Sequence, residues 1–492
     1  MFDLRVTGSD KIDPNPGGII TAFARIGYKL TEAVADIVDN AVDAKATNIL
    51  IRFFCSEDAI RRVAFVDDGD GMSDATLSKA MQFGTSTKHP ESQLGKYGIG
   101  MKSASFSQCR HLSVVTMNGG NAAGRRWTVE GIREGWKCER LNKQDAKKAL
   151  ALDWGPLTVK AHGTAVIWDE LDRLNVTGPL DASLNRLFKQ LRLALGIVYH
   201  RFLESGRIRI HIDAQKYGDD IPGIAQSVVG IDPFSYSKTG NKHYPKTFKA
   251  TVGGRQLLLN AHIWPPRAKG PEYSLGGTAA TKQGFYFYRN DRLIQAGGWN
   301  KLREHESDPH LTLARIAVDL PPSADAAFHL DVQKSSLDVP HAFAEAVKKA
   351  KAGGVAWQDY INDADAAYRN GEEEAPENQP VVLGGGVPVR VQTRTKAMLT
   401  NGETKQRKVE LKWKTLPLGV FFDIDREAQI ITMNTRFRKT LTAAENGTGE
   451  TLVKTLLFLL LRDEFNRERV RKDVHAWISD LNSVLVSAVE QK

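Results

Sequence analysis

The sequence predicts an α/β protein of several domains. Three observations carry that expectation: a helix-periodic stretch at residues 32–44, EAVADIVDNAVDA; apolar runs of strand length on its C-terminal side; and two glycine-rich segments set among those runs. In the first stretch Ala33, Ile37, Val38 and Ala41 recur at helical spacing, so one face belongs in a core. Asp36 and Asn40 are four residues apart and stack on one side of that helix. A carboxylate so placed can take a proton from an attacking water, and an amide oxygen is a hard ligand for Mg²⁺. A solvated helix face is the alternative.

Strands are expected at 48–54 and at 63–67. The second runs into FVDDGDGMS, where alternate glycines let backbone approach a flat ligand. Asp67 can there accept a hydrogen bond from an exocyclic amine such as that of adenine. An Asp-Gly β-turn is the plainer reading. Residues 81–93, MQFGTSTKHPESQ, are polar and read as a mobile loop with Lys88 as its one cation. LGKYGIGMKSAS follows, where Gly95, Gly98 and Gly100 free a run of backbone N–H groups ahead of Lys102 and Ser103. Such a run makes an anion cradle. It lacks the Gly-Lys-Ser/Thr order of a Walker A loop and is no clean dinucleotide fingerprint. In HGTAVIWDEL, residues 162–171, Gly163 and Thr164 precede an apolar strand.

These four segments, in this order, resemble the GHKL ATPases: gyrase B subunits, ATP-clamp heat-shock chaperones, histidine kinases, MutL and MORC proteins. The likeness covers roughly residues 20–340 and is strongest toward prokaryotic MORC-like and MutL-like members. It implies a Bergerat-type two-layer α/β sandwich, a mixed sheet backed by helices, followed by a transducer domain. It further implies ATP as ligand, with Asn40 on Mg²⁺, Asp67 on the adenine amine, Thr164 supporting that contact and Met72 on the ring. Gly71 belongs to the same box. Gly95, Gly98, Gly100 and Lys102 would cradle phosphates, with Ile99, Met101 and Ser103 beside them, and the 81–93 loop would be the lid carrying Lys88. The family's general base is usually Glu, whereas Asp36 stands here, one methylene shorter. Slow hydrolysis is therefore expected, below about 1 s⁻¹ against ordinary enzyme rates. Glu32 lies one turn away and is too far to substitute.

Residues 1–27 read as an extended arm and a short helix, broken by Pro14, Pro16 and Gly17-Gly18. Strands are expected at 112–117 and 127–132, then a Lys-rich insert near 143–148. A helix over 181–204 carries Leu184, Leu187, Leu191, Leu195 and Val198 on one face, and RIRIHID alternates as a half-buried strand. GIDPF (230–234) and QGFYFYRNDRLI (283–294) resemble the MORC-type transducer, the latter alternating up to an Asn-Asp turn as a hairpin does. FHLDVQKSSLDVP (328–340) resembles the transducer segment whose lysine reaches the terminal phosphate. By position that is Lys334, with Lys282 the competing candidate. Residues 342–368 read as Ala-rich helix and 369–386 as a linker. Beyond them two strands are expected in 419–434, an apolar helix at 451–461 and an amphipathic one at 470–489. Asp423 and Asp425 form a DxD that is more simply a turn than a nuclease metal site. The expected domains are 1–213 (nucleotide), 214–345 (transducer), 346–386 (helix and linker) and 387–492, a small α+β unit for dimerisation or for DNA or partner contact.

Composition narrows the function classes. The 492 residues are 41% hydrophobic and 25% charged, as in ordinary globular proteins. Three scattered cysteines without CxxC spacing argue against a disulfide framework, and the N-terminus lacks an apolar signal core, so a cytoplasmic setting is expected. The longest apolar run is far short of a membrane span. Net charge is +9, and residues 390–439 carry 12 Lys and Arg against 5 Asp and Glu. A stripe of that sign attracts polyphosphate, although it also serves as a solubilising surface. With the resemblance, it implies an ATP-gated clamp that dimerises on ATP binding and acts on double-stranded DNA, in bacterial genome defence or DNA handling. A chaperone-like ATPase with a protein client, or a nucleotide-gated scaffold for a partner effector such as a nuclease, is the other reading. A kinase is disfavoured for want of a histidine-bearing dimerisation helix, and a topoisomerase for want of a strand-cleaving tyrosine domain.

Overall fold

The computed structural model describes residues 7–10, 14–25, 27–84, 94, 99–174, 178–321, 328, 337, 339–373, 380–400, 406–417, 419–426, 428–442, 448–466 and 472–489. Lys88, Gly95, Gly98 and Lys334 lie outside the described residues. The chain divides into two compact units: residues 1–235, 243–263 and 268–365 form one, and 236–242, 264–267 and 366–492 the other.

The first unit holds two sheets. One contains β1 (Asn48–Cys55), β2 (Ile60–Asp67), β3 (Cys109–Asn118), β4 (Asn121–Thr128), β5 (Glu139–Arg140), β6 (Gly163–Leu171), β7 (Arg209–Lys216) and β8 (Gln226–Ser227), in the order β5-β4-β3-β6-β2-β1-β7-β8. Neighbours pair antiparallel except β1 with β7. Its helices are α1 (Pro16–Arg25), α2 (Leu30–Asp43), α3 (Asp74–Met81), α4 (Gly100–Phe106), α5 (Val129–Arg133), α6 (Lys143–Leu150), α7 (Leu180–Val198) and α8 (His200–Glu204). The period-2 pleat sets the layers. Ile49, Ile51 and Phe53 of β1 share a core with α2, α4 and α7, whereas Leu50 and Phe54 join a second core with Ala146 and Leu150 of α6 and with Trp154. The result is the mixed sheet backed by helices that the sequence predicts.

Helix α2 is defined at both ends. Glu32 reaches back so that its carboxylate accepts the Lys29 N–H at 3.2 Å, which commits it as a cap. At the far end Lys45 takes the left-handed conformation (φ 61°). There Ala46 N–H bonds Ala41 C=O and Lys45 N–H bonds Val42 C=O, a Schellman closure with lysine where glycine is usual.

Several expected boundaries move. The 127–132 strand is the end of β4 followed by α5, because the Thr128 hydroxyl caps a helix by accepting the Gly131 N–H at 2.9 Å. The 181–204 helix breaks at Tyr199 into α7 and α8. The Ala-rich 342–368 stretch is two helices, His341–Lys348 and Trp357–Glu373, split by a small hairpin turning at Gly353 with φ +61°. Part of the expected linker is helix through Glu373, and Val381–Leu383 is a buried strand.

The second sheet contains β9 (Lys246–Val252), β10 (Arg255–Ile263), β11 (Gly284–Arg289), β12 (Arg292–Ala296), β13 (Ala314–Asp319), β14 (Lys351–Ala352) and β15 (Val355–Ala356), ordered β12-β11-β13-β10-β9-β14-β15. The β11–β12 hairpin turns on Asn290 and Asp291, both at positive φ (48° and 66°), as a type I′ turn requires. In the second unit β16 (Val381–Leu383), β17 (Arg407–Lys414), β18 (Phe422–Asp425) and β19 (Ile430–Asn434) lie in the order β16-β17-β19-β18. Helices Thr448–Leu461 and Lys472–Val489 pack on them through Leu457, Phe458, Leu461, Leu481 and Leu485. Asp425 accepts the Ala428 N–H at 2.8 Å, so it closes a turn, as the simpler reading of the DxD has it.

Candidate active site

Helix α2, the end of β2, the β3–β6 rung and the start of α4 enclose a cavity of about 240 Å³. Ile37, Ala41, Phe65 and Val166 give it apolar walls, and Asn40, Asp67, Lys102 and Thr164 supply polar groups. Gly71, Met72 and Met101 also line it.

Asp67 forms the floor. Strand register sets Asp67 opposite Thr164, and Thr164 opposite Thr116. The Asp67 carboxylate accepts the Gly69 N–H at 2.9 Å. Burial raises its pKa to about 7, with the neighbouring charge of Asp68 adding to the rise. The Thr116 hydroxyl donates to Gly163 C=O at 3.1 Å, accepts the Met72 N–H at 2.9 Å and meets Thr164 Oγ1 at 3.0 Å. It therefore ties the first glycine segment to the Gly163-Thr164 pair. Two glycines are obligatory here. A Cβ on Gly71 (φ +64°) would lie 1.9 Å from Met117 O, and one on Gly163 (φ +143°) 2.5 Å from Asp67 O. Behind them Asp68 is pushed up by burial but held below the usual carboxylate range by Asn48 and Thr47. Their backbone and side chains make four hydrogen bonds to it, at 2.6–2.8 Å.

The other end is built on the acids and amide of α2. Asp36 is buried, and its Oδ2 accepts the Tyr28 hydroxyl at 2.9 Å. Gly100, opening α4, approaches closely enough that a Cβ there would sit 3.7 Å from the same oxygen. Asn40 is exposed at the cavity, and its Nδ2 donates to the Asp36 backbone C=O at 2.7 Å. A carbonyl can only accept, so the amide orientation is fixed and Oδ1 is the group presented outward. Asp39 is wholly buried, and its Oδ1 takes Arg292 Nε at 2.7 Å and lies 2.6 Å from the Tyr199 hydroxyl. Asp43 accepts the Leu94 N–H at 2.7 Å. Lys102 is buried, which lowers its pKa to about 8, and its Nζ stands 5.9 Å over the Phe83 ring.

The structure thus brings Asn40, Asp67, Gly71, Met72, Met101, Lys102 and Thr164 to one cavity. Asp36 lies behind Gly100, and Ser103 turns its hydroxyl to Ile99 and Gly100 C=O, both at 3.2 Å. Ile99 lines a separate aromatic cavity of about 790 Å³ with Phe83, Trp127 and Trp136. Sequence reasoning missed Tyr28, Asp39, Thr116, Tyr199 and Arg292. Only Thr116 left a trace, as a polar residue near the end of the apolar run LSVVTM.

Residues 28–164 match the sequence profile of the histidine kinase-, DNA gyrase B-, and HSP90-like ATPases. They form a GHKL-type ATPase domain. ATPase MORC2A of Mus musculus and ATPase MORC2 of Homo sapiens are each 47% identical over 78 residues, 15% of this chain and 8% of each relative. ATPase morc-1 of Caenorhabditis elegans is 38% identical over 91 residues, 18% of this chain and 10% of that protein. The matches span about a tenth or less of these relatives. Tyr28, Asp36, Asn40, Asp67, Lys102, Thr116 and Thr164 all fall inside the ATPase domain, whereas Arg292 and Lys282 lie outside it. Among the described residues no helix is long and apolar enough to cross a membrane.

Proposed function

We propose that the chain is an ATP-gated clamp: it binds ATP in the α2–β2–β6 cavity, hydrolyses it slowly, and couples that cycle to dimerisation and to double-stranded DNA. The observation that carries the nucleotide reading is Asp67, a buried acceptor beside two obligatory glycines at the floor of the cavity. An exocyclic amine donates to such a carboxylate, and the ring lies against Met72. Asn40 fits Mg²⁺, because its anchored amide turns a hard oxygen outward. The metal would neutralise phosphate charge there. Asp36, oriented by Tyr28, takes the proton from the attacking water. Lys102 offers positive charge to phosphate, and Lys334 or Lys282 would sense the terminal one. Arg292 on β12 grips Asp39, the residue beside Asn40 on α2, which supplies a route from the nucleotide to the second sheet.

The DNA reading rests on the second unit, where Arg390, Arg394 and Lys396, then Lys408, Lys412 and Lys414, are exposed. Polyanion binding follows such charge. One observation favours a protein partner instead: Leu452, Leu456, Leu459 and Leu460 are exposed along one helix at 60, 49, 40 and 55%. ATP turnover with and without double-stranded DNA, for the wild type and Asp36→Ala, separates these. DNA-stimulated turnover that Asp36→Ala abolishes supports the clamp on DNA. Turnover indifferent to DNA moves the client to protein, and absent turnover with ATP bound leaves a nucleotide-gated scaffold.

A further inference from the structure

A second polar cluster lies away from the nucleotide cavity. His200 and Glu204 are one turn apart on α8, and Asp232 belongs to the GIDPF segment, which the ATPase reading leaves without a task. Their ligand atoms lie within 4.8 Å of one another. They face a cavity of about 310 Å³ whose opposite wall carries Asn260 and His262 of β10. The approach is built in: a Cβ on Gly230 would meet His200 O at 3.2 Å and Glu204 Cγ at 3.0 Å. A side chain there would be tight against α8.

The imidazole supplies the independent observation. His200 is 2% exposed, yet its Nδ1 has no hydrogen-bond partner among the described residues. Asp232 Oδ1 stands 3.7 Å away, beyond hydrogen-bonding reach. The other ring nitrogen, Nε2, meets the Tyr288 hydroxyl at 3.0 Å, which fixes the ring. Leaving a buried nitrogen bare is costly. A cation between it and two carboxylates removes that cost and needs just this outer hydrogen bond on the far nitrogen.

We propose that His200, Glu204 and Asp232 bind one divalent transition-metal ion with zinc-type chemistry. One imidazole nitrogen and two carboxylate oxygens are three donors of the right kind, and a water on the His262 side completes four. The nitrogen favours zinc over magnesium or calcium. Arg201 is the cation next to His200 on α8. Arg201 itself turns to Asp291 and Asp319 and stacks on Tyr288. Glu204 is exposed, one turn from His200 on α8. Bound there, the metal staples α8 to the 230–234 segment.

The test is calorimetric titration of the metal-stripped full chain with Zn²⁺ in the absence of nucleotide. One ion per chain is expected, binding at micromolar concentration or tighter and raising the melting temperature. Glu204→Gln and Asp232→Asn, each checked for native circular dichroism, should weaken binding by at least about tenfold. Co²⁺ in place of zinc should give ligand-field bands without a thiolate charge-transfer band, which keeps Cys55, Cys109 and Cys138 out of the assignment. Absence of saturable binding overturns the proposal, as does equal affinity in the wild type and Glu204→Gln. ATP turnover plays no part in the readout, so the result is independent of the clamp reading.

Discussion

The two ends of the cavity proposed for the nucleotide are built in different ways. At the Asp67 end every constraint lies within one sheet: Thr164 and Thr116 on adjacent strands, glycines at fixed positive φ, and Asp68 held by the β1 terminus. At the α2 end one constraint is local in the chain and the other comes from the second sheet. Asp36 is set by Tyr28, and Asp39 by Arg292, which is 253 residues distant. A rigid floor suits a ring that must be recognised identically in every cycle. An end wired to another sheet suits a group whose arrival or departure has to be felt elsewhere. The buried Arg52–Asp213 pair sharpens the contrast. It joins neighbouring strands β1 and β7 at 2.7 Å, and Arg52 reaches from there to the Asp153 carbonyl and the Trp154 ring that cover the same sheet.

Four experiments at three places can break this contrast. The largest effect is expected for Asp36→Asn, which should lower kcat by about 10²–10⁴-fold and leave ATP affinity nearly unchanged in a fluorescent-nucleotide titration. A fall in affinity equal to the fall in kcat would instead assign Asp36 to binding. Next, Arg292→Met strands the Asp39 carboxylate and should destabilise the first unit by about 3–5 kcal/mol. Adding Asp39→Asn should restore stability in urea unfolding but not coupled turnover. If the double variant recovers both, the pair is merely structural, like Arg52–Asp213.

A smaller loss is expected at the floor. Asp67→Asn removes a charged acceptor worth about 1.5–3 kcal/mol, so ATP should bind roughly 10- to 100-fold more weakly, with kcat at saturation little changed. The smallest effect is the pH dependence of the same group. Its pKa is raised from 3.8 to about 7, so the protonated form favours the nucleotide-free fold. That stabilisation is complete below about pH 4 and disappears as pH rises through 7. ATP, donating an amine hydrogen, requires the ionised form. Affinity should therefore weaken toward about tenfold per pH unit below 7, and Asp67→Asn should flatten the profile. A wild-type profile already flat between pH 5.5 and about 8 would remove Asp67 from the base contact.

Locally encoded features were legible in the sequence. The α2 stripe, the glycine segments, the Gly163-Thr164 pair and the Asn290-Asp291 hairpin each state their conformation through spacing or through residues that tolerate positive φ. Boundaries slipped where a local signal was overlooked, as at the Thr128 cap and the Gly353-Gly354 turn. Contacts between distant segments left no such trace. Nothing near Thr116 tells which strand it faces, because register is set by pairing across the whole sheet. Nor does Asp39 announce Arg292, or His200 announce Asp232.

The sequence by itself determined the fold class and named most of the residues that the structure gathers around one cavity, since these follow from side-chain periodicity and from backbone angles that few residues adopt. Tertiary structure alone decided how the carboxylates divide their work. Asp36, Asp39 and Asp43 are the same residue type on one helix, and each differs in what the packed chain brings to it, from near or far in sequence: a tyrosine hydroxyl, a guanidinium, a backbone N–H. A carboxylate takes its protonation and its role from neighbours within a few ångströms, and those neighbours are chosen by packing rather than by adjacency in the chain.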